Sequence, residues 1–125
     1  MITRRSSFDY FSTTTRLTDA IRRRGLTIFC RIDHAAGAKE VGLDLQPEEV
    51  FIFGNPQAGT PLMQRDPAVG YELPLRILVW QEADAVQLAY RDPRELAHAF
   101  NLAELGSVLD RMSALLKDLT DEVGS

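Results

Sequence analysis

Leu75-Arg76-Ile77-Leu78-Val79-Trp80-Gln81 and, after the polar turn around Glu82 to Ala85, Val86-Gln87-Leu88-Ala89-Tyr90 are the stretches that decide the fold. Pro74 opens the first run, and the short polar link between the two predicts an antiparallel hairpin. Leu75, Ile77 and Val79 share one face of that hairpin, because successive strand side chains alternate; Leu78 and Trp80 take the opposite face. Both faces are therefore apolar, and each needs a covering layer.

Upstream, Val50-Phe51-Ile52-Phe53 is apolar on both sides and reads as a buried strand. Leu26 to Asp33 alternates, with Leu26, Ile28, Cys30 and Ile32 on one side and Thr27, Phe29, Arg31 and Asp33 on the other. That pattern places the Cys30 thiol in the core. A first strand is expected within Thr3–Phe11. Ser12-Thr13-Thr14-Thr15 supplies N-cap residues for a helix carrying Leu17, Ala20 and Ile21, which Arg22, Arg23, Arg24 and Gly25 close. His34 to Gly42 reads as a short helix stopped by Gly42. Asp92 and Pro93 open a helical turn as cap and first residue. Downstream, Leu105, Val108, Leu109, Met112, Leu115, Leu116 and Leu119 form the apolar stripe of a long helix ending near Glu122.

The order is strand, helix, three or four mostly antiparallel strands, long helix: an α+β single domain spanning residues 1–125. Two long helices cover one face of such a sheet and leave Leu78, Trp80, Phe29 and half of the Val50–Phe53 strand on the other. An apolar face of this kind usually meets a partner. For a small chain a second copy in a two-fold dimer is the commonest one; the alternative is that the Gly54–Leu73 segment folds across it. A homodimer is the expectation.

With 125 residues, 45% hydrophobic and 26% charged, the chain can bury a core without metal or disulfide staples. Its net charge of -4 argues against nucleic acid as partner. No apolar run is long enough to span a membrane. A lone cysteine and no secretory leader fit the cytoplasm. Metal ligation has little to draw on, since His34, His98 and Cys30 show no short paired spacing. No cofactor is indicated.

Gly54-Asn55-Pro56-Gln57-Ala58-Gly59-Thr60-Pro61-Leu62-Met63 concentrates two glycines, two prolines, an asparagine and a threonine directly after a strand. Gly54 and Gly59 permit close backbone approach. Thr60 before Pro61 reads as the cap of a short helix whose amides can face a phosphate or carboxylate. It is no P-loop, because no lysine follows the second glycine. Asn55-Pro56 is also ordinary turn chemistry, so a rigid turn is the competing reading. Asp33 and His34 sit where a strand hands over to a helix. As a histidine, His34 is of a residue type suited to acid–base work; Asp33 suits capping the helix that follows, its commoner role. Asp33, His34, Gly54, Asn55, Gly59 and Thr60 are the candidate ligand-binding residues.

Ile32-Asp33-His34-Ala35-Ala36-Gly37-Ala38, Phe53-Gly54-Asn55-Pro56, Ala58-Gly59-Thr60-Pro61-Leu62-Met63 and Leu73-Pro74-Leu75-Arg76-Ile77-Leu78-Val79-Trp80, followed by Tyr90, Asp92 and Pro93, resemble the family called domain of unknown function 302. The resemblance runs from about Thr15 to Leu102. It implies a β-α-β(4)-α fold similar to one repeat of the TATA-binding protein, an antiparallel sheet with helices on one face, commonly a homodimer. It brings no reaction with it. Glu72 stands where family members often carry Asp. Ala99-Phe100-Asn101 stands where they often carry Arg-His-Gly, with His98 displaced by two positions, so a role for that second histidine does not carry over. The function expected is a small homodimeric domain binding a small anionic ligand near Asp33-His34 and Gly54–Met63. The alternatives are an enzyme using His34 as acid–base and a purely structural or adaptor dimer.

Overall fold

The computed structural model describes residues 1–125. Five strands, β1 (Ile2–Ser6), β2 (Thr27–Asp33), β3 (Glu48–Gly54), β4 (Leu75–Glu82) and β5 (Ala85–Tyr90), form one antiparallel sheet in the order β1-β5-β4-β3-β2. The hairpin is present, with Glu82 opposite Ala85 and Leu78 opposite Ala89. The helices are α1 (Tyr10–Arg23), α2 (His34–Glu40), α3 (Pro56–Arg65), α4 (Leu96–Ala99) and α5 (Gly106–Gly124), with 3-10 turns at Pro67–Tyr71, Pro93–Glu95 and Ala103–Leu105.

The core lies between the sheet and two long helices. Leu17, Ala20 and Ile21 of α1 and Leu116, Leu119 and Val123 of α5 pack on Phe51, Phe53, Ile77, Val79, Val86, Leu88 and Tyr90. All seven sheet residues share one face by register. A second cluster joins Leu62 of α3 and Val69 to Leu96, Leu102, Leu109 and Met112. The segment between β3 and β4 therefore packs beside α5, in the helix layer, and does not close over the opposite face. Arginines tie the layers at the carboxyl end of α5, where a helix leaves carbonyls unpaired. Arg4 Nε donates to the Thr120 carbonyl at 2.9 Å, and Arg16 donates to those of Val123 and Glu122 at 3.1 and 2.9 Å.

Three features differ from the sequence expectation. Helix α1 starts at Tyr10, capped by Asp9 through Ser12 N at 2.7 Å, rather than after Ser12–Thr15. Thr13 is consumed inside, sharing a buried 2.7 Å hydrogen bond with Ser6, so β1 ends at Ser6 and Tyr10 and Phe11 are helical. Helix α3 is capped by Asn55 with Pro56 in its first turn; Thr60 and Pro61 lie inside it. Asn55 wins because its extended backbone directs Oδ1 onto Gln57 N at 2.9 Å, while Pro56 has no N–H to lose there.

The third difference is a β-bulge in β2. Ile28 pairs with Phe53 but Cys30 pairs with Ile52, so the register slips by one residue at Phe29. Ile28 then faces the helices while Cys30 and Ile32 face away from them. The Cys30 thiol is exposed, not buried in the core, because the slip reverses every side chain beyond it. Gly25 ends α1 at φ +71° and Gly42 follows α2 at φ +78°, backbone conformations that glycine adopts without a Cβ clash.

Candidate functional site

Asp33 caps α2, its carboxylate accepting from Ala36 N at 2.8 Å. That contact assigns it the structural role. It lies beside a shallow depression with Tyr10 and Lys39. His34, the next residue, is exposed and lines a different cavity. Gly54, Asn55, Gly59 and Thr60 line a third. The structure thus keeps the four loop residues together and separates them from both Asp33 and His34.

The His34 cavity has a volume of about 480 Å3 and extends from the sheet face opposite α1 and α5 round to Leu96 and Leu116 of the helix layer. Its floor is the row Ile32, Val50, Leu78 and Ala89, adjacent across β2, β3, β4 and β5. Its rim carries His34, Arg76, Arg91, Glu48, Glu72 and Asp92. Glu72 is shared by two guanidiniums, Arg76 Nη2 at 3.5 Å and Arg91 Nη1 at 3.6 Å. Asp92 is engaged by Arg94 at 2.7 Å, which holds its carboxyl below the usual range. Arg91 Nε also reaches Glu95 at 3.9 Å, and the two guanidiniums still carry more N–H donors than these contacts use. Arg76, Arg91 and Glu72 are not candidate site residues by sequence; they converge because the start of β4, the end of β5 and the turn before β4 meet.

The loop cavity, about 320 Å3, is walled by the end of β3, helix α3, the segment before β4 and one side of α5. Its lining is aliphatic, aromatic and thioether, with Asn55 and Thr60 as its polar side chains and no charged residue. Gly54 and Gly59 play an unexpected part here. Neither has a positive φ. A Cβ on Gly59 would come no closer than 3.6 Å, to Leu73 Cδ1, and one on Gly54 no closer than 3.5 Å, to Pro74 Cβ. Those are ordinary contacts, so neither glycine is demanded by turn geometry or by a tight crossing. Glycine inside α3 costs about 1 kcal/mol relative to alanine and leaves open volume in return. Phe29, Met112 and Leu115 carry no sequence signal as lining residues, whereas Met63 closes the Gly54–Met63 segment already expected at the site. The bulge that redirects Phe29 is set by strand pairing, and Met112 reads simply as helix core.

Elsewhere one polar network is buried in the covered face. Glu49 accepts both Arg31 Nε and Nη2, at 3.0 and 3.1 Å, and Tyr10 Oη donates to it at 3.0 Å. Burial first, and the Glu49 charge next, push the Tyr10 phenol above its ordinary range. Arg31 and Tyr10 satisfy the Glu49 carboxylate, and the ring of Phe51 lies under the Arg31 guanidinium at 4.6 Å, tying β2, β3 and α1 together. No group of three His, Cys, Asp or Glu side chains stands close enough to hold a metal ion.

The family described as "Domain of unknown function DUF302" matches residues 2–123. The chain belongs to the DUF302 family. A crystal structure described as an uncharacterized conserved protein DUF302 from Bacillus stearothermophilus superposes with a TM-score of 0.88, covering 98% of this chain and 96% of that one, at 23% identity. At that identity the likeness concerns the fold. Among curated relatives, "Fluoride-specific ion channel FluC 1" of Brucella suis biovar 1 (strain 1330) is 42% identical over 103 residues, 82% of this chain and 41% of that protein. The protein of the same name from Brucella abortus biovar 1 (strain 9-941) matches at 42% over 103 residues, 82% of this chain and 38% of its own length. This DUF302 chain thus spans about two fifths of the curated relatives it matches. None of its helices is long and apolar enough to cross a membrane.

Proposed function

We propose that this DUF302 domain is a self-associating binding module. Two copies pair through the sheet face opposite α1 and α5, and a small anionic ligand is held at the rim of that seam by His34, Arg76 and Arg91. The observation that carries the reading is a single cavity joining the apolar floor Ile32, Val50, Leu78 and Ala89 to those three cationic or titratable side chains. Burying such a floor against its own copy removes apolar surface from water at roughly 25 cal/mol per Å2, and spare guanidinium donors suit a carboxylate or phosphate. The fold expected from the family resemblance, one repeat of the TATA-binding-protein kind working as a homodimer, agrees with this arrangement.

Sedimentation across a concentration series and thermal shift with phosphate and small carboxylates test it. The expected result is a two-subunit species whose melting temperature rises with at least one anion and no longer responds in Arg76→Ala or His34→Ala. A monomer at high concentration, with flat melting curves for every anion, overturns it.

A second reading, the adaptor, draws on a specific observation: curated relatives named as fluoride-specific ion channels are more than twice as long as their match to this chain. In that reading the domain is an accessory piece to a membrane transport protein and the sheet face docks there. Co-sedimentation of the purified domain with native membranes, lost in Leu78→Glu, favours it; a domain that stays in the supernatant at all salt concentrations discards it.

A further inference from the structure

The loop cavity has a chemistry of its own, independent of the His34 rim. We propose that it is a binding site for an uncharged, mainly apolar small molecule of about the size of a two-ring aromatic. Four observations converge. Its volume of about 320 Å3 is about twice the roughly 150 Å3 that accommodates a benzene ring, and it falls at the lower end of ligand pockets. No charged side chain lines it, so an ion entering it would shed hydration without a counter-charge. Two glycines leave its wall bare although a methyl group at either would meet only ordinary contacts. The β-bulge in β2 places the Phe29 ring, half exposed, on the cavity wall; bulges redirect side chains in this way beside sites.

The walls also suit an aromatic guest. Met63 from α3 and Met112 from α5 offer flexible thioethers that adapt to a ring and contact its edge favourably, and Phe29 offers a face or edge for offset stacking. Asn55 and Thr60 supply polar groups on the lining, enough to orient one hydroxyl or carbonyl on the guest. Specificity follows from that pairing: apolar bulk sets affinity and a single polar group sets orientation.

The test uses 2-naphthol as the neutral probe and 2-naphthoate as its charged counterpart, with the full chain labelled at methionine methyls. Saturable shifts of the Met63 and Met112 methyl signals with 2-naphthol, at least tenfold weaker for 2-naphthoate, are expected. Gly59→Val fills the cavity and should remove the 2-naphthol response while leaving the circular dichroism of the fold intact. Should that variant fail to fold, Met63→Trp fills the same space from a side chain already half buried. Absence of a saturable response in the unmodified chain overturns the assignment. So does binding that survives a filled cavity, or 2-naphthoate bound as well as 2-naphthol. Because the readout sits on Met63 and Met112, away from His34 and Arg76, the outcome is separate from that of the dimer and anion tests.

Discussion

The two faces of the sheet are built from neighbouring residues of the same strands and are covered by different means. On β3, Phe51 and Phe53 are fully buried under α1 and α5, while Val50 and Ile52, which alternate with them, are only half buried with no helix over them. On β4, Ile77 and Val79 are fully buried and Leu78 and Trp80 are not. Side-chain chemistry is nearly equal on the two sides; what differs is that one side finds its cover inside the chain. Apolar patterning therefore states how much surface needs shelter, and the number of long helices states how much shelter the chain provides.

The largest effect that follows is on the covered face. Phe51→Ala should cost about 3–5 kcal/mol in urea unfolding, the range for a buried aromatic cut to a methyl, since it also removes the ring beneath Arg31. Ile52→Ala, one residue away on the other face, should cost less than half of that. Equal losses would show that both faces are packed within one chain, and the contrast would dissolve.

Next in size is association. With the uncovered face as the seam, the melting temperature of the unmodified chain rises with its concentration, because pairing stabilises by mass action. Leu78→Glu places a charge in the middle of that face, and the concentration dependence should vanish while the unfolding free energy at high dilution changes by less than about 1 kcal/mol. A steep dilution dependence surviving in Leu78→Glu would move the seam elsewhere.

How far this division was legible in the sequence depends on the kind of signal. Gly25 and Gly42 as stops, Asp33 and Asp92 as caps, the hairpin and the stripe of α5 are local signals, each complete within a few residues, and the structure has all of them. The surplus apolar face was legible too, from the opposed positions of Leu78 and Trp80 against Ile77 and Val79. Strict alternation misplaces Cys30 because it ignores a bulge that exists only once β2 meets β3. The start of α1 is ambiguous in the sequence because Ser12 to Thr15 and Asp9 are all competent caps, and the buried Ser6–Thr13 contact, a tertiary fact, decides between them. The candidate site was legible as a loop of unusual composition but not as two cavities. Adjacency in sequence put Asp33 with His34; the strand-to-helix corner turns them to different sides.

The covered face also holds a buried carboxylate, which carries the contrast to a smaller scale. Glu49 is 8% exposed among aromatic and aliphatic neighbours, tolerated because Arg31 and Tyr10 satisfy it. Tyr10→Phe should cost about 1–2 kcal/mol at neutral pH, the worth of a hydrogen bond to a charged acceptor. The sign of the pH dependence follows from the raised phenol value. The unfolded phenol ionises near pH 10 while the folded one is held neutral beyond it, so the contribution is full below about pH 10 and fades as pH climbs further. Unmodified protein should lose stability over that window more steeply than Tyr10→Phe does. Parallel profiles in an alkaline denaturation series would remove Tyr10 from the account.

The smallest effect isolates stability from association, because its residue belongs to neither face. Ala83 sits in the β4–β5 turn at φ +54°, where a Cβ crowds the neighbouring backbone. Glycine relieves that crowding but adds freedom to the unfolded chain, so the two terms partly cancel. Ala83→Gly should gain about 0.5–1 kcal/mol. Gln81 Nε2, which donates to the Ala83 carbonyl at 2.9 Å, depends on the backbone there and keeps its partner in the variant. Since Ala83 belongs to neither the core nor the Leu78 row, the gain should appear unchanged at every protein concentration, as a parallel upward shift of the melting curves. A gain that grows with concentration would mean the turn feeds the seam, and the line drawn between the covered and uncovered faces would have to pass through the hairpin end as well.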